Sequence, residues 1–177
     1  MSNSIYNINA YSTSTNYSKH DIITFTGTFK SLVIVNGYLY CIADATTGTF
    51  NEDDWDGYIS DNSSVKPKFL WTPTKDNSVE NAPKVRILRL GDGYESRVPN
   101  GINNNLLIYN LSFRTIDTSE ATAIIHFLTT RNGQESFIWQ GRPPYVKNLR
   151  FISREWNDVE VFTDNFDITT KFEQVVN

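Results

Sequence analysis

The side chains that most often carry metal or nucleophilic chemistry are scarce in this chain. There are two histidines, His20 and His126, and one cysteine, Cys41, and no CxxC or HExxH spacing joins them. Metal ligands need partners at such spacings. We therefore expect no metal, no cofactor and no catalytic role for these residues, and we place His126 on the polar or boundary face of a helix.

Carboxylates form the densest charged group in the sequence. The segment 52–56 contains Glu52, Asp53, Asp54 and Asp56. Such a group could hold a hard cation, which prefers oxygen ligands, or supply the two carboxylates of a glycosidase. A solvated acidic loop has the same composition, and we favour that interpretation. The sequence thus predicts that the protein is not an enzyme.

Aromatic side chains offer a third kind of chemistry, because their flat faces can stack on sugar rings. The first third of the chain contains Tyr38, Tyr40, Phe50, Trp55 and Tyr58. A domain this small needs at least half of these rings in its core, and Trp55 is the first candidate for that place. The candidate sugar-binding residues are Tyr38, Tyr40, Trp55 and Tyr58.

Length and composition bound the remaining possibilities. The 177 residues suffice for one domain or two small ones, and 39% hydrophobic content allows a core to form. The formal net charge of -4 argues against a nucleic-acid-binding surface. One cysteine allows no intramolecular disulfide, and no stretch reads as a signal peptide or membrane span. We expect a protein that assembles in a reducing cytoplasm without membrane insertion.

Strand patterns dominate the last two thirds of the chain. A strand at 85–90 reaches a hairpin turn at Gly91-Asp92-Gly93, which is too short for a phosphate-binding loop. Alternation at 109–113 and 166–172 gives each of these strands one buried face. Further strands are expected at 148–154 and 159–162, with turns at 155–158 and 163–165, whereas 74–82 and 99–105 are expected to be loops.

One helix interrupts these strands. Asp117, Thr118 or Ser119 can cap its N-terminus, and Asn132-Gly133 closes it. An apolar stripe at helical spacing consists of Ala121, Ile124, Ile125 and Leu128. The pattern predicts a mainly β fold, an antiparallel sandwich or split barrel with one packed helix.

Short motifs in this region recur in a fixed order. They are Leu90-Gly91-Asp92-Gly93-Tyr94, Arg97, Asn100-Gly101, Asn103, Phe137-Ile138-Trp139, Pro143-Pro144-Tyr145 and the ending Phe172-Glu173-Gln174-Val175-Val176-Asn177. From about residue 69 onward the chain resembles the minor tail protein M family of lambda-like phages. The resemblance implies a tail-tube-like fold and a structural virion protein at the tail tip of a siphophage. It would be assembled in the host cytoplasm.

The resemblance also implies partners. Further copies would close a ring, expected to be a homohexamer, between the tail-tube protein and the tip or baseplate hub, as a distal tail protein does, with the tape-measure protein nearby. Closure would cover strand edges that are hazardous when exposed. DNA would pass through the lumen without specific binding, since anionic walls repel phosphate. The candidate interface residues are Arg86, Leu88, Leu90, Gly91, Asp92, Tyr94, Ile102, Leu106, Phe172 and Val175.

The first third shows a second pattern. Asn36-Gly37 lies between the apolar runs 33–35 and 38–42, which predicts a two-residue hairpin turn there. Residues 10–17, His20-Asp21-Ile22-Ile23, Asn36-Gly37-Tyr38-Leu39-Tyr40, Gly48 and Trp55 are similar to the chitin-binding modules of carbohydrate-binding families 5 and 12. Those modules stack sugar on tryptophans that 43–46 lacks, so we expect weak binding at most.

The two patterns together predict the organisation of the chain. An N-terminal arm covers 1–9, a small β module 10–59, a polar linker 60–68 and the tail-tip domain 69–177. The module would point outward as a decoration domain that folds separately. The alternative function is a carbohydrate-binding accessory protein that attaches to a host-surface glycan.

Overall fold

The computed structural model describes residues 5–59, 66–74 and 76–176, which form a mainly β protein. Positions 1–4 of the expected N-terminal segment 1–9 and positions 60–65 of the expected linker lie outside the described residues. The strand pairs are antiparallel, one α-helix packs against them, and none of the described sheets closes into a barrel. The predicted fold class is confirmed.

The N-terminal module is built around one long central strand. In chain order its strands are β1 (Tyr17–Ser18), β2 (Ile22–Phe29), β3 (Leu32–Cys41), β4 (Ala45–Thr46) and β5 (Trp55–Ile59). β3 lies between β2 and β5, and β1 pairs with β4. The module's own core consists of Tyr17, Ile23, Phe29, Ile34, Leu39, Cys41 and Trp55. Trp55 is fully buried, as expected of a core residue.

The predicted hairpin turn at Asn36-Gly37 is wrong. β3 runs straight through both residues, and the chain reverses at Lys30 and Ser31, which both have positive φ. Asn36 also has positive φ, but it serves a bulge where the β2–β3 register shifts between Phe25 and Gly27. Two positive-φ residues suit a tight hairpin turn, whereas a single one suits a bulge. The Asn-Gly pair satisfies both patterns equally well.

The C-terminal domain contains a six-stranded sheet and a separate hairpin. Its strands are β6 (Ser78–Asn81), β7 (Val85–Arg89), β8 (Glu95–Pro99), β9 (Leu107–Asp117), β10 (Phe137–Gln140), β11 (Asn148–Ile152), β12 (Trp156–Phe162) and β13 (Asn165–Gln174). The sheet order is β10-β11-β13-β9-β6, and β12 also pairs with β13. β7 and β8 pair only with each other within the described residues.

Three local predictions fail in this domain. β6 occupies part of the expected loop 74–82, and β8 was not foreseen. Trp156 and its two successors belong to β12, so the turn expected at 155–158 is absent. Polar, Asn- and Asp-rich stretches resemble turns in composition, but an edge strand exposed to solvent has the same composition.

The helix α1 (Thr118–Arg131) covers one face of the sheet. The Asp117 carboxylate accepts a hydrogen bond from the Glu120 N–H at 2.7 Å, and Asn132 ends the helix in the left-handed conformation. Both predicted caps are confirmed. Ala121, Ile124 and Leu128 of the predicted stripe are buried and Ile125 is half-buried. They pack with Phe113, Phe137, Ile168 and Phe172. Within the described residues no helix is long and apolar enough to cross a membrane.

Candidate assembly surfaces

The β7–β8 hairpin projects as an arm, which we define as residues 84–99. Ile87 and Leu88 point to opposite faces of β7, and both are exposed, as is Val98 of β8. At the tip, 71% of Leu90 and 75% of Tyr94 is exposed. A two-stranded hairpin has no core of its own. The arm therefore presents apolar side chains to solvent on both faces.

Local geometry explains how the arm keeps its shape. Gly91, Asp92 and Gly93 all have positive φ. The Leu90 N–H donates a hydrogen bond to Tyr94 O, and the Tyr94 N–H donates one to Gly91 O, each at 2.9 Å. The predicted hairpin turn is confirmed. Glu95 lies 3.5 Å from Arg89 across the strands and 3.4 Å from Arg97 on its own strand. Such exposed ion pairs add little stability.

Beyond the arm, the loop that contains Ile102 is fastened at its base. The Lys84 N–H donates to Asn104 O at 2.7 Å, and the Asn100 N–H donates to Lys84 O at 2.8 Å. Ile102 itself is 99% exposed. Leu106, which follows, is half-buried. Because Ile102 is an apolar side chain exposed to solvent on an anchored loop, it is a candidate for contact with a partner protein.

Two candidate interface residues near the C-terminus lie elsewhere than expected. Phe172 is 0% exposed, because β13 turns it into the core of the domain, where it packs against Phe137 of β10 with ring centroids 4.8 Å apart. It belongs to the core and offers no surface to a partner. Val175 is half-buried, and its N–H donates to Arg150 O at 2.9 Å. Its backbone N–H is therefore already occupied within the chain.

The edge strand β12 is a surface that the sequence-based prediction missed. Val159, Val161 and Phe162 are exposed on it, and Asp158 and Glu160 alternate with them. Within the described residues β12 pairs only with β13, which leaves its other edge uncovered. The sequence pattern that could have identified this surface is an apolar triplet on a strand that also carries two carboxylates. Charged side chains of this kind are rarely buried, so the strand should lie at an exposed edge.

The N-terminal module is docked on α1 through aromatic side chains. Tyr40 is 1% exposed and belongs to the core of the C-terminal domain, although β3 supplies it. Its hydroxyl is hydrogen-bonded to His126 Nδ1 at 2.9 Å, and its ring meets Trp71 edge-on at 5.2 Å. Tyr38 also contacts the His126 ring, at 4.6 Å between centroids. The expectation that His126 lies on a polar or boundary face is wrong.

A second hydrogen bond links the module to the segment that follows the expected linker. Trp71 Nε1 donates to His20 Nδ1 at 3.1 Å. Because an indole nitrogen can only donate, His20 Nδ1 must be unprotonated in this contact. Burial lowers the pKa of His20 and, together with the nearby Arg131, lowers the pKa of His126 to about 4. Neutral imidazoles therefore suit both contacts.

The aromatic residues proposed for sugar binding do not form an open platform. Tyr40 and Trp55 are buried, and Tyr38 and Tyr58 are half-buried. Tyr58 packs edge-on against Phe29 at 5.8 Å, within the module's core. Stacking on a sugar requires an accessible ring face, and the two buried rings provide none. They act instead as structural residues, Trp55 within the module and Tyr40 between the domains.

The acidic segment makes contacts within the chain. Glu52 accepts the Lys30 N–H at 2.9 Å, and Asp54 accepts the Thr46 hydroxyl at 2.7 Å. Both carboxylates thus fasten turns of the module. Within the described residues, no three His, Cys, Asp or Glu side chains come together as a metal site. Burial raises the pKa of the Cys41 thiol to about 11, so this thiol stays protonated at neutral pH.

Comparisons with known proteins match the C-terminal domain. Over 110 residues the chain is 34% identical to tail tip protein M of Escherichia phage lambda. The matched region covers 62% of this chain and 97% of that protein. A family model described as phage minor tail protein matches residues 67–176, more than half of the chain. The matched region contains the arm, the Ile102 loop and β12. The chain belongs to the phage minor tail protein family.

Proposed function

We propose that this protein forms a closed ring at the tail tip, through contacts made by the family domain with copies of itself and with neighbouring tail proteins. Family membership supports a structural role in the virion tail. The arm is the observation that carries the finer proposal, because its apolar residues have no cover within the described chain. A homohexamer between the tail-tube protein and the tip hub is the arrangement we propose.

The family domain exposes an apolar surface that nothing in the described chain covers. Leu90, Tyr94 and Ile102 are each at least 71% exposed, and they lie near one another along the chain. Exposed apolar groups on an unsupported hairpin are stabilised when a partner covers them. A closed ring covers such a surface in every copy and leaves none to extend into a filament. A structural, non-catalytic role follows for the residues that carry the proposal.

The test replaces these side chains in an infectious phage. Leu90→Asp with Ile102→Asp should abolish incorporation into tails, since each change buries a charge in the joint. Val33→Asp is the matched control, because Val33 is 71% exposed but lies in the N-terminal module. Electron microscopy and mass spectrometry of purified tails provide the measurement. Normal incorporation of the Leu90 and Ile102 variant, or a wild-type protein missing from tails, would refute the proposal.

A further inference from the structure

The arm and β12 carry opposite charges. Residues 84–99 contain four cationic side chains (Lys84, Arg86, Arg89 and Arg97) and two anionic ones (Asp92 and Glu95), a net charge of +2. Residues 155–167 contain five carboxylates (Glu155, Asp158, Glu160, Asp164 and Asp167) and no lysine or arginine. One chain thus carries both a basic and an acidic surface, and each is lined with exposed apolar residues.

Both surfaces are uncovered in the isolated chain. The side chains of Arg86, Asp158 and Glu160 form no ion pair or hydrogen bond within the described residues. Leu88 and Val98 share a face of the arm with Arg86, because Arg86 pairs directly with Val98. On β12, Val159 alternates with Asp158 and Glu160. Asp158 and Glu160 therefore point to one face of β12 and Val159 to the other, whereas the Arg86 face of the arm combines positive charge with apolar contact area.

We infer that the arm of one copy docks on β12 of a neighbouring copy, with Arg86 facing Asp158 and Glu160. This inference rests on the proposed ring and names the two surfaces that meet in it. A heterologous contact of this kind, arm to edge, repeats around a ring until the ring closes. The charges orient the encounter and disfavour arm-to-arm or edge-to-edge pairing, since like charges would then meet. The apolar side chains supply the buried area.

Other partners for the arm are outcomes of the test. The N-terminal module also has exposed carboxylates, Asp44 and Asp53. Docking of the arm on a different tail protein is a further outcome that the test distinguishes. Charge reversal with compensation separates these cases, because only the true partner surface restores the lost contact when its own sign is reversed.

The experiment compares full-length variants in phage assembly, each first shown to be folded by circular dichroism. Arg86→Glu should lower the yield of tails containing the protein by about tenfold or more, as expected for coupled charge pairs. Asp158→Arg with Glu160→Arg should do the same. The three changes together should restore the yield. Asp44→Arg with Asp53→Arg, the matched control, should neither lower the yield nor rescue the arm variant.

Cross-linking supplies an independent readout. In a chain with Val98→Cys and Glu160→Cys, oxidation of purified tails should produce a ladder of linked copies, which neither single variant gives. Normal tails from the arm variant, or a defect that the combined variant does not repair, would overturn the arm-to-β12 contact. If tails contain the wild-type protein, those results contradict only the arm-to-β12 contact and not the proposed ring. If tails lack it, the proposed function fails first.

Discussion

Protonation of His126 should loosen the whole protein in mild acid. His126 is 5% exposed and lies on the face of α1 that meets the module, where Tyr38 and Tyr40 of β3 cover it. Burial, and to a lesser extent Arg131, lowers its pKa from the usual 6.5 to about 4. Arg131 also forms an ion pair with Glu135 in the described chain. A proton arriving at His126 therefore enters an apolar site beside a cation.

The size and sign of the change in stability follow from the difference between the usual pKa of histidine and the lowered pKa of His126. One pKa unit is worth about 1.4 kcal/mol, so the difference between 6.5 and about 4 corresponds to roughly 3 kcal/mol. Between pH 6.5 and about 4 the unfolded chain binds a proton at this histidine that the folded chain does not bind. The free energy of unfolding therefore decreases as the pH falls through this range. The contribution of His126 is thus fully present above pH 6.5 and is lost as the pH falls towards 4. For a chain of this length the loss lowers Tm by about 6–12 °C.

Paired thermal denaturation isolates this residue from the carboxylates that also titrate in acid. His126→Asn places an amide near the position of Nδ1, which preserves a partner for the Tyr40 hydroxyl but cannot be protonated. The wild type should lose roughly 3 kcal/mol more than this variant between pH 7 and pH 4. An NMR titration of the imidazole gives the pKa directly. Equal pH dependence of the two proteins, or a measured pKa near 6.5, would refute the reasoning.

Two further substitutions test the packing around the contact between Tyr40 and His126, and a third tests the N-terminal cap of α1. Gly57→Ala places a Cβ 2.8 Å from Leu70 at a φ of +68, so urea denaturation should show a loss of roughly 1–3 kcal/mol; an unchanged midpoint would contradict the close approach. Tyr40→Phe leaves His126 Nδ1 without its hydroxyl partner and should cost about 1–3 kcal/mol in calorimetry, whereas a neutral result would mean that the hydrogen bond is not made. Asp117→Ala removes the cap of α1, and chemical denaturation should report a loss of about 1 kcal/mol, with no loss counting against the cap.

Features that depend on a few neighbouring residues could be predicted from the sequence. The cap at Asp117 and the left-handed end at Asn132 rest on side-chain and backbone chemistry within one turn. The turn at Gly91-Asp92-Gly93 rests on positive φ at consecutive positions. The buried face of β13 follows from alternation along a single strand. In each case the deciding interaction spans only a few residues.

Features that depend on distant contacts could not be predicted in this way. Tyr40 and His126 are 86 residues apart, and no local pattern shows that they meet. Alternation correctly put Phe172 on one face of its strand but could not show that α1 covers that face. The same limit applies to Asn36-Gly37, where pairing with β2 chose a bulge over a turn. Leu90, Tyr94 and Ile102 were predicted as surface residues because a family motif contained or flanked them, whereas β12 had no such motif.

The docked module changes how a truncation should be interpreted. The family match begins at residue 67, which suggests that a chain beginning at Lys66 should fold and assemble. Deletion would also uncover Trp71 and Phe127, which are buried and in ring contact with Tyr40.

A truncated chain that fails to join tails could therefore have lost either its fold or its joint. Graded loosening of the contact by Tyr40→Phe and Gly57→Ala separates the two cases. If the module takes part in the joint, incorporation should fall in step with the loosening. If the module only covers α1, incorporation should hold until the family domain itself unfolds.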